Sequence, residues 1–99
     1  MRLSHLTVSG ELVSSDASQL PSDVAVQIAE KIHDYLGKNG CSTNPVAGGQ
    51  GPAGNALSFC EYSLAGCTGR VDVFVIENAY ESRGENVLAQ VIVTVNEAR

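Results

Sequence analysis

The sequence has 99 residues, 43% of them hydrophobic and 17% charged, which fits one folded domain over residues 1–99 and excludes general disorder. Eleven acidic residues against six basic ones give a formal net charge of −5, and the basic residues are scattered along the chain. Since binding to phosphate groups needs clustered positive charge, we expect neither nucleic acid nor an anionic membrane surface as a partner.

The first predicted element is a β-strand over about Leu3–Val13. Apolar and polar residues alternate here with a period of two, which is typical of a strand with one buried face. Gly10 interrupts the apolar row, and a glycine inside a strand often marks a bulge or the close approach of another backbone. A polar stretch over residues 14–18 then ends the element.

The second predicted element is an amphipathic helix over about residues 21–37. Pro21 and Asp23 suit the first helical turn, and Gly37 or Gly40 can supply a left-handed cap at the end. Apolar residues recur every four positions, which predicts a single stripe facing the core. The stripe consists of Val24, Ile28, Ile32 and Leu36, with Tyr35 beside it and Ala25 and Ala29 on its flank.

The segment at about 38–56 is rich in glycine and proline and shows no periodicity. We therefore predict an irregular connection here, and long loops of this kind are often functional. Strand patterns return at about 57–65, 70–78 and 86–96, the first two joined by a turn over residues 66–69. The prediction is an α+β fold in which one helix packs on a four-stranded, mainly antiparallel sheet, in the order β-α-β-β-β.

The predicted sheet has two apolar faces, although one helix can cover only one of them. The second face predicts an interface with another copy of this chain, with a dimer favoured, because soluble monomers rarely expose a contiguous apolar patch. The alternative is that the long loop covers this face. The candidate interface residues are Phe74, Ile76, Leu88 and Ile92, and Phe59 joins them if its strand has the expected register.

The glycine-rich segment satisfies the spacing GxGxxG between Gly49 and Gly54. The context is wrong for a dinucleotide site, since the run follows a helix and precedes a strand. It stays a candidate loop site, with a flexible connector favoured over phosphate binding. Its residues are Gly48, Gly49, Gln50, Gly51 and Gly54.

Glu30 and His33 have the E-x-x-H spacing of di-iron bundles, but one helix cannot supply the other ligands. A catalytic pair would need His5 or His33, the only histidines, and His5 falls on an outward strand face. The sequence therefore predicts no catalytic residue, no cofactor and no metal ligand.

Three cysteines without a CxxC pair fit a reducing compartment, so we expect a cytoplasmic protein. The polar N-terminus does not have the pattern of a signal peptide, and no apolar run is long enough to span a membrane. Cys60 is expected in the core, too far from Cys67 for a disulfide.

Two hypotheses about function follow, and the residues do not decide whether the protein is an enzyme. The first is a small acidic, non-enzymatic protein–protein interaction module of the adaptor or inhibitor type, acting as a homo-oligomer. The alternative is a small-molecule binding protein or simple enzyme with a pocket between the glycine-rich loop and the sheet. Its contacts would come from Tyr62, Cys60, His5 or Cys41.

Overall fold

One helix packs on one face of a six-stranded antiparallel sheet in the computed structural model, which describes residues 3–14, 21–50, 55–83 and 86–99. The helix α1 spans Pro21–Lys38. The strands are β1 (Leu3–Ser14), β2 (Ser42–Thr43), β3 (Ala47–Gln50), β4 (Ala56–Leu64), β5 (Cys67–Arg83) and β6 (Asn86–Ala98). The α+β class is confirmed, but the predicted four strands and the order β-α-β-β-β are wrong because β2 and β3 lie between the helix and β4.

The sheet runs in the order β1, β6, β5, β4, and both short strands line the outer side of β4. Thr43 of β2 pairs with Tyr62, and Ala47 of β3 pairs with Phe59. Between them the N–H of Asn44 donates to the carbonyl of Glu61 at 3.0 Å. The two strands are thus one edge strand interrupted at Pro45, a residue that sheets tolerate at their edges.

The helix ends in a Schellman motif, which satisfies carbonyls that have no partner inside the helix. The N–H of Cys41 donates to the carbonyl of Leu36 at 3.1 Å, and the N–H of Gly40 donates to the carbonyl of Gly37 at 3.2 Å. Gly40 has φ +88°, a conformation that costs a side-chain-bearing residue about 1–2 kcal/mol. Of the two predicted capping glycines, Gly40 is therefore the one in the left-handed conformation.

The core lies between α1 and the middle of β4 and β5. Ala25 is 0% exposed and Ala29 1% exposed, so small side chains bring the helix backbone close to the sheet. Tyr35, expected beside the apolar stripe, is 66% exposed, which means that the buried stripe is rotated toward the alanines. The central cluster consists of Val24, Ala25, Ala29, Ala56, Val73 and Val75, with Ile28 and Ile32 partly buried against it.

The β4–β5 hairpin turns at Ala65 and Gly66, earlier than the predicted turn. Both residues have positive φ, +43° and +82°, as in a type I′ turn of two residues. Leu64 consequently pairs with Cys67, and Cys60 pairs with Val71. Odd-numbered residues of β5 then face the helix from Val71 to Val75, and even-numbered ones face the opposite side.

Candidate functional site

The sheet face opposite α1, called the open face below, carries an apolar row across three strands. Leu57 of β4 pairs with Phe74 of β5, which pairs with Ile92 of β6. All three side chains are partly exposed. Within the described ranges, no other helix or strand packs on this face. The row is therefore an apolar surface in the middle of the sheet.

The candidate interface residues share this face as far as the structure describes them. Ile76 lies two residues beyond Phe74 on β5, and Phe59 lies two residues beyond Leu57 on β4, so both extend the row. Both are partly exposed. Leu88 belongs to β6, where it pairs with Glu81, but its side chain lies outside the described part of the chain.

Charged residues border the apolar row on one side. The guanidinium of Arg70 stacks on the ring of Phe59, 3.8 Å from its centroid. Its Nε donates to Asp72 Oδ1 at 2.8 Å, and Glu61 pairs with Arg70 across β4 and β5. Arg70 thus shields one flank of the aromatic surface while its charge is balanced by neighbouring carboxylates.

A hydrogen-bonded relay on the same face joins Thr7, His5 and Asn96. The Thr7 hydroxyl donates to His5 Nε2 at 2.9 Å, and His5 Nδ1 donates to Asn96 Oδ1 at 2.7 Å. A nucleophile, a base and an orienting group have this order in acyl-transfer enzymes. Such chemistry also needs free donors for an oxyanion. Arg70, on the same row as His5 and Asn96, is already engaged with Asp72 and Phe59. Both ring nitrogens of His5 therefore have hydrogen-bond partners on this face.

A cavity of about 470 Å³ lies at this end of the open face. Its lining combines one guanidinium, that of Arg70, two carboxylates, those of Glu61 and Glu97, and neutral hydrogen-bonding groups that include His5 and Asn96. The volume lies within the range of small-molecule sites. The cavity is formed by the sheet surface and not by the glycine-rich loop.

On the helix side, Tyr62, Glu97 and Arg99 form a second polar cluster near the β4–β5 turn. The Tyr62 hydroxyl donates to Glu97 Oε2, and Arg99 Nε donates to Glu97 Oε1 at 2.8 Å. Hydrogen bonds from Tyr62, Cys67 and Arg99 lower the pKa of Glu97 from 4.5 to about 2. Burial, followed by the bond to Glu97, raises the pKa of Tyr62. The cluster therefore holds one firmly ionised carboxylate.

Cys67 belongs to this cluster and lines a cavity of about 310 Å³ with Tyr62 and Arg99. Burial and the hydrogen bond to Glu97 raise the pKa of the Cys67 thiol, against the opposing effect of Arg99. A raised thiol pKa lowers the fraction of nucleophilic thiolate. The thiolate form of Cys67 is therefore disfavoured.

Cys41 contributes with Cys67 to the raised pKa of Tyr62, so it lies near the second polar cluster. Cys41, Cys60 and Cys67 are all free thiols, and Cys60 is buried in the core. Glu30 is exposed, and His33 Nδ1 lies 3.3 Å from the carboxylate of its neighbour Asp34. In the described part of the chain, no three His, Cys, Asp or Glu residues group as metal ligands.

The candidate loop site is partly a strand. Gly48, Gly49 and Gln50 pair with Ser58, Leu57 and Ala56 of β4, so this stretch runs extended along the sheet edge. Gly51 and Gly54 lie outside the described residues. A third cavity, of about 380 Å³, lies between the start of the loop at Gly40 and Ser42 and the β4–β5 turn.

The sequence does not mark the polar groups around Arg70 or those around Glu97 as neighbours. Arg70, Asp72 and Glu97 lie on predicted strands, but no spacing marks them as neighbours. Only the register of β4, β5 and β6 brings them to Phe59 and Tyr62. The one sequence signal that could group them is that alternate residues of a strand share a face. Because the predicted β4–β5 turn is wrong, residues of β4 would have been matched with the wrong residues of β5.

Comparison with known proteins identifies no relative. The sequence matches no protein-family model, and neither the curated proteins nor the solved structures contain a match. Among the described residues, no helix has the length and apolar character needed to cross a membrane. The function must therefore be inferred from the chain's own surfaces.

Proposed function

We propose that this protein is a small acidic, non-enzymatic protein–protein interaction module of the adaptor or inhibitor type, acting as a homo-oligomer in the cytoplasm. The observation that carries the proposal is the apolar row Leu57, Phe74 and Ile92 on the open face. Burial of such a surface is favourable by about 25 cal/mol per Å² of apolar area. A two-fold contact buries the row of both copies at once, which makes a dimer the favoured unit.

The pattern around the row supports a protein partner. Interfaces typically combine an apolar centre rich in aromatic residues with a polar rim. Here Phe74 belongs to the apolar row and Phe59 extends it, while Arg70, Asp72 and Glu61 border it. The free thiols support a reducing compartment.

The test is the substitution Ile92→Asp, which places a charge at the end of the row. Gln27→Asp is the matched control, because it introduces the same charge at an exposed position of α1. We expect size-exclusion chromatography with light scattering to give a smaller assembly for Ile92→Asp and an unchanged one for Gln27→Asp. Equal masses for the wild type and both variants would contradict an interface on the open face.

A second candidate function, binding of a small polar molecule, is favoured by the 470 Å³ cavity beside His5 and Arg70. Titration of the isotope-labelled protein with a panel of small carboxylic acids and amino acids tests it. Saturable NMR shifts confined to the residues lining this cavity would support binding. The absence of shifts at millimolar ligand would contradict it.

A further inference from the structure

The two edges of the sheet are built very differently. The outer side of β4 carries the short strands β2 and β3, which are interrupted at Pro45. Short edge strands and proline are devices that prevent pairing with another sheet. At the other edge β1 runs from Leu3 to Ser14 in unbroken register with β6 and contains neither proline nor lysine. Of the two described edges, the β2–β3 edge has short strands and a proline, whereas β1 is one long strand without proline.

Two aliphatic side chains of β1 are more than half exposed. Leu6 is 58% exposed and Val8 is 56% exposed, although both lie on the sheet face that the helix packs against. The helix packs on β4 and β5, at the other end of that face. No strand of the described ranges pairs with the outer side of β1, so Leu6 and Val8 lie beside backbone groups that have no strand partner there.

Nothing in the described part of the chain requires a glycine at position 10. Its φ lies outside the left-handed region, and a methyl group added there would meet no atom within 4 Å. Glycine inside a strand is destabilising, and it often marks a place where another chain segment approaches closely.

We propose that β1 pairs with β1 of a second copy of this chain, antiparallel and about a two-fold axis at Val8. In this register Val8 lies opposite Val8 of the second copy, and Leu6 lies opposite Gly10, where its side chain would cover exposed backbone. His5 and Glu11, the two ionisable residues of β1, fall opposite each other, so no like charges meet. The two six-stranded sheets become one continuous sheet, and all of β1 except Ser14 is paired.

This contact goes beyond the open-face interface and is independent of it. A two-fold axis perpendicular to the sheet keeps the open faces of both copies on the same side, so edge pairing leaves Phe74 and Ile92 accessible. The two contacts are both isologous and use different surfaces of the chain. Each contact can therefore be removed separately.

The edge contact is tested with Val8→Lys, which brings two positive charges together at the two-fold axis. Gln27→Lys is the control, since it makes the same change in net charge on the exposed face of α1. We expect Val8→Lys to weaken edge association by about tenfold or more, because like charges directly opposite each other repel. The control should not. Equal sedimentation of the two variants would overturn the proposal.

The effects of the two interfaces are separated by using Ile92→Asp as the starting protein and adding Val8→Lys to it. The edge proposal predicts that this variant still sediments as a dimer and that adding Val8→Lys gives a monomer. A monomeric Ile92→Asp protein would overturn edge pairing and leave the open-face interface standing. An assembly split by Val8→Lys but unaffected by Ile92→Asp would support edge pairing and contradict the open-face proposal.

Amide hydrogen exchange gives a readout that does not depend on a substitution. In an edge strand every second N–H is unpaired and exchanges quickly, whereas in a paired strand successive N–H groups are protected. We expect protection at successive residues of β1 that increases with protein concentration. Fast exchange of alternate β1 amides at every concentration would overturn the proposal.

Discussion

Ala65 shows how a single residue can hold a conformation that its side chain disfavours. It has φ +43° and precedes Gly66 at φ +82°, in a two-residue turn that favours Asn-Gly. The sequence Ala-Gly is a weak hairpin signal, and the nearby Gly69 made a longer turn equally plausible. Hence the turn, and with it the pairing of Cys60 and Val71, could not be placed from the sequence.

We predict that Ala65→Asn raises the free energy of unfolding by about 1 kcal/mol, because asparagine tolerates the left-handed region better than alanine. Gly66→Ala should lower it by a similar amount, since φ +82° disfavours any side chain. Urea denaturation of the three proteins measures both changes. A destabilised Ala65→Asn protein would contradict the turn geometry.

Glu97 illustrates a pKa that depends on cross-strand geometry. The Tyr62 ring lies over Gly69, where an added methyl group would overlap it, and this position lets the hydroxyl reach Glu97. In the folded protein the pKa of Glu97 is lowered to about 2. Its contribution to stability is therefore complete above its ordinary pKa of 4.5 and is lost as the pH falls from there toward 2.

Tyr62→Phe should raise the pKa of Glu97 toward its ordinary value, because the hydrogen bond from Tyr62 is the largest cause of the shift. Carbon-13 NMR of the Glu97 carboxyl group during an acid titration measures it. Glu61, which lies on the other face of the sheet, serves as an internal control. An unchanged Glu97 titration in Tyr62→Phe would show that the bond does not form.

At the scale of elements, the helical period of the apolar residues predicted the range of α1 correctly but did not predict which of its residues are most deeply buried. The predicted range, 21–37, differs from the observed Pro21–Lys38 by one residue, because the proline and glycine signals at its ends are local. The buried stripe includes Ala25 and Ala29, which hydrophobicity alone ranks below Ile28 and Ile32. How close a helix approaches a sheet depends on the facing strands, which a helical pattern does not reveal.

The substitution Ala29→Leu tests whether Ala29 belongs to the buried stripe of the helix or lies on the flank of that stripe. Ala29 is 1% exposed, so a larger side chain should overpack the core and lower the free energy of unfolding by about 1–3 kcal/mol. Glu30→Leu, at an exposed position, should change it by no more than about 0.5 kcal/mol. Thermal unfolding of both variants measures the contrast. A mild effect at Ala29 would place it on the flank of the stripe.

The strands β2 and β3 were not predictable from local pattern. Ala47-Gly48-Gly49-Gln50 has low intrinsic strand propensity, and Pro45 indicates a break. These residues are extended because the outer side of β4 offers unpaired backbone groups, a feature of tertiary structure. The faces of the other strands follow from the alternation of side chains along each strand, which is enough to place Phe74, Ile76 and Ile92 on one face without knowledge of their pairing.

For the whole molecule, two properties act in opposite directions on association. The apolar row on the open face and the aliphatic side chains of β1 favour it, whereas a net charge of −5 on each copy opposes it. Salt screens the repulsion between exposed charges but leaves the apolar contacts intact. Association should therefore strengthen as ionic strength rises. The sequence indicated the apolar surface of the open face but not the edge, because exposure of β1 depends on strand order.

The central claim is that the open face binds a second copy of this chain. Sedimentation equilibrium of the wild type at micromolar concentrations, with Ile92→Asp alongside, tests it most directly. We predict a mass of at least two 10.4 kDa chains for the wild type and a smaller assembly for the variant. A wild-type protein that sediments as a 10.4 kDa monomer throughout that range would contradict it.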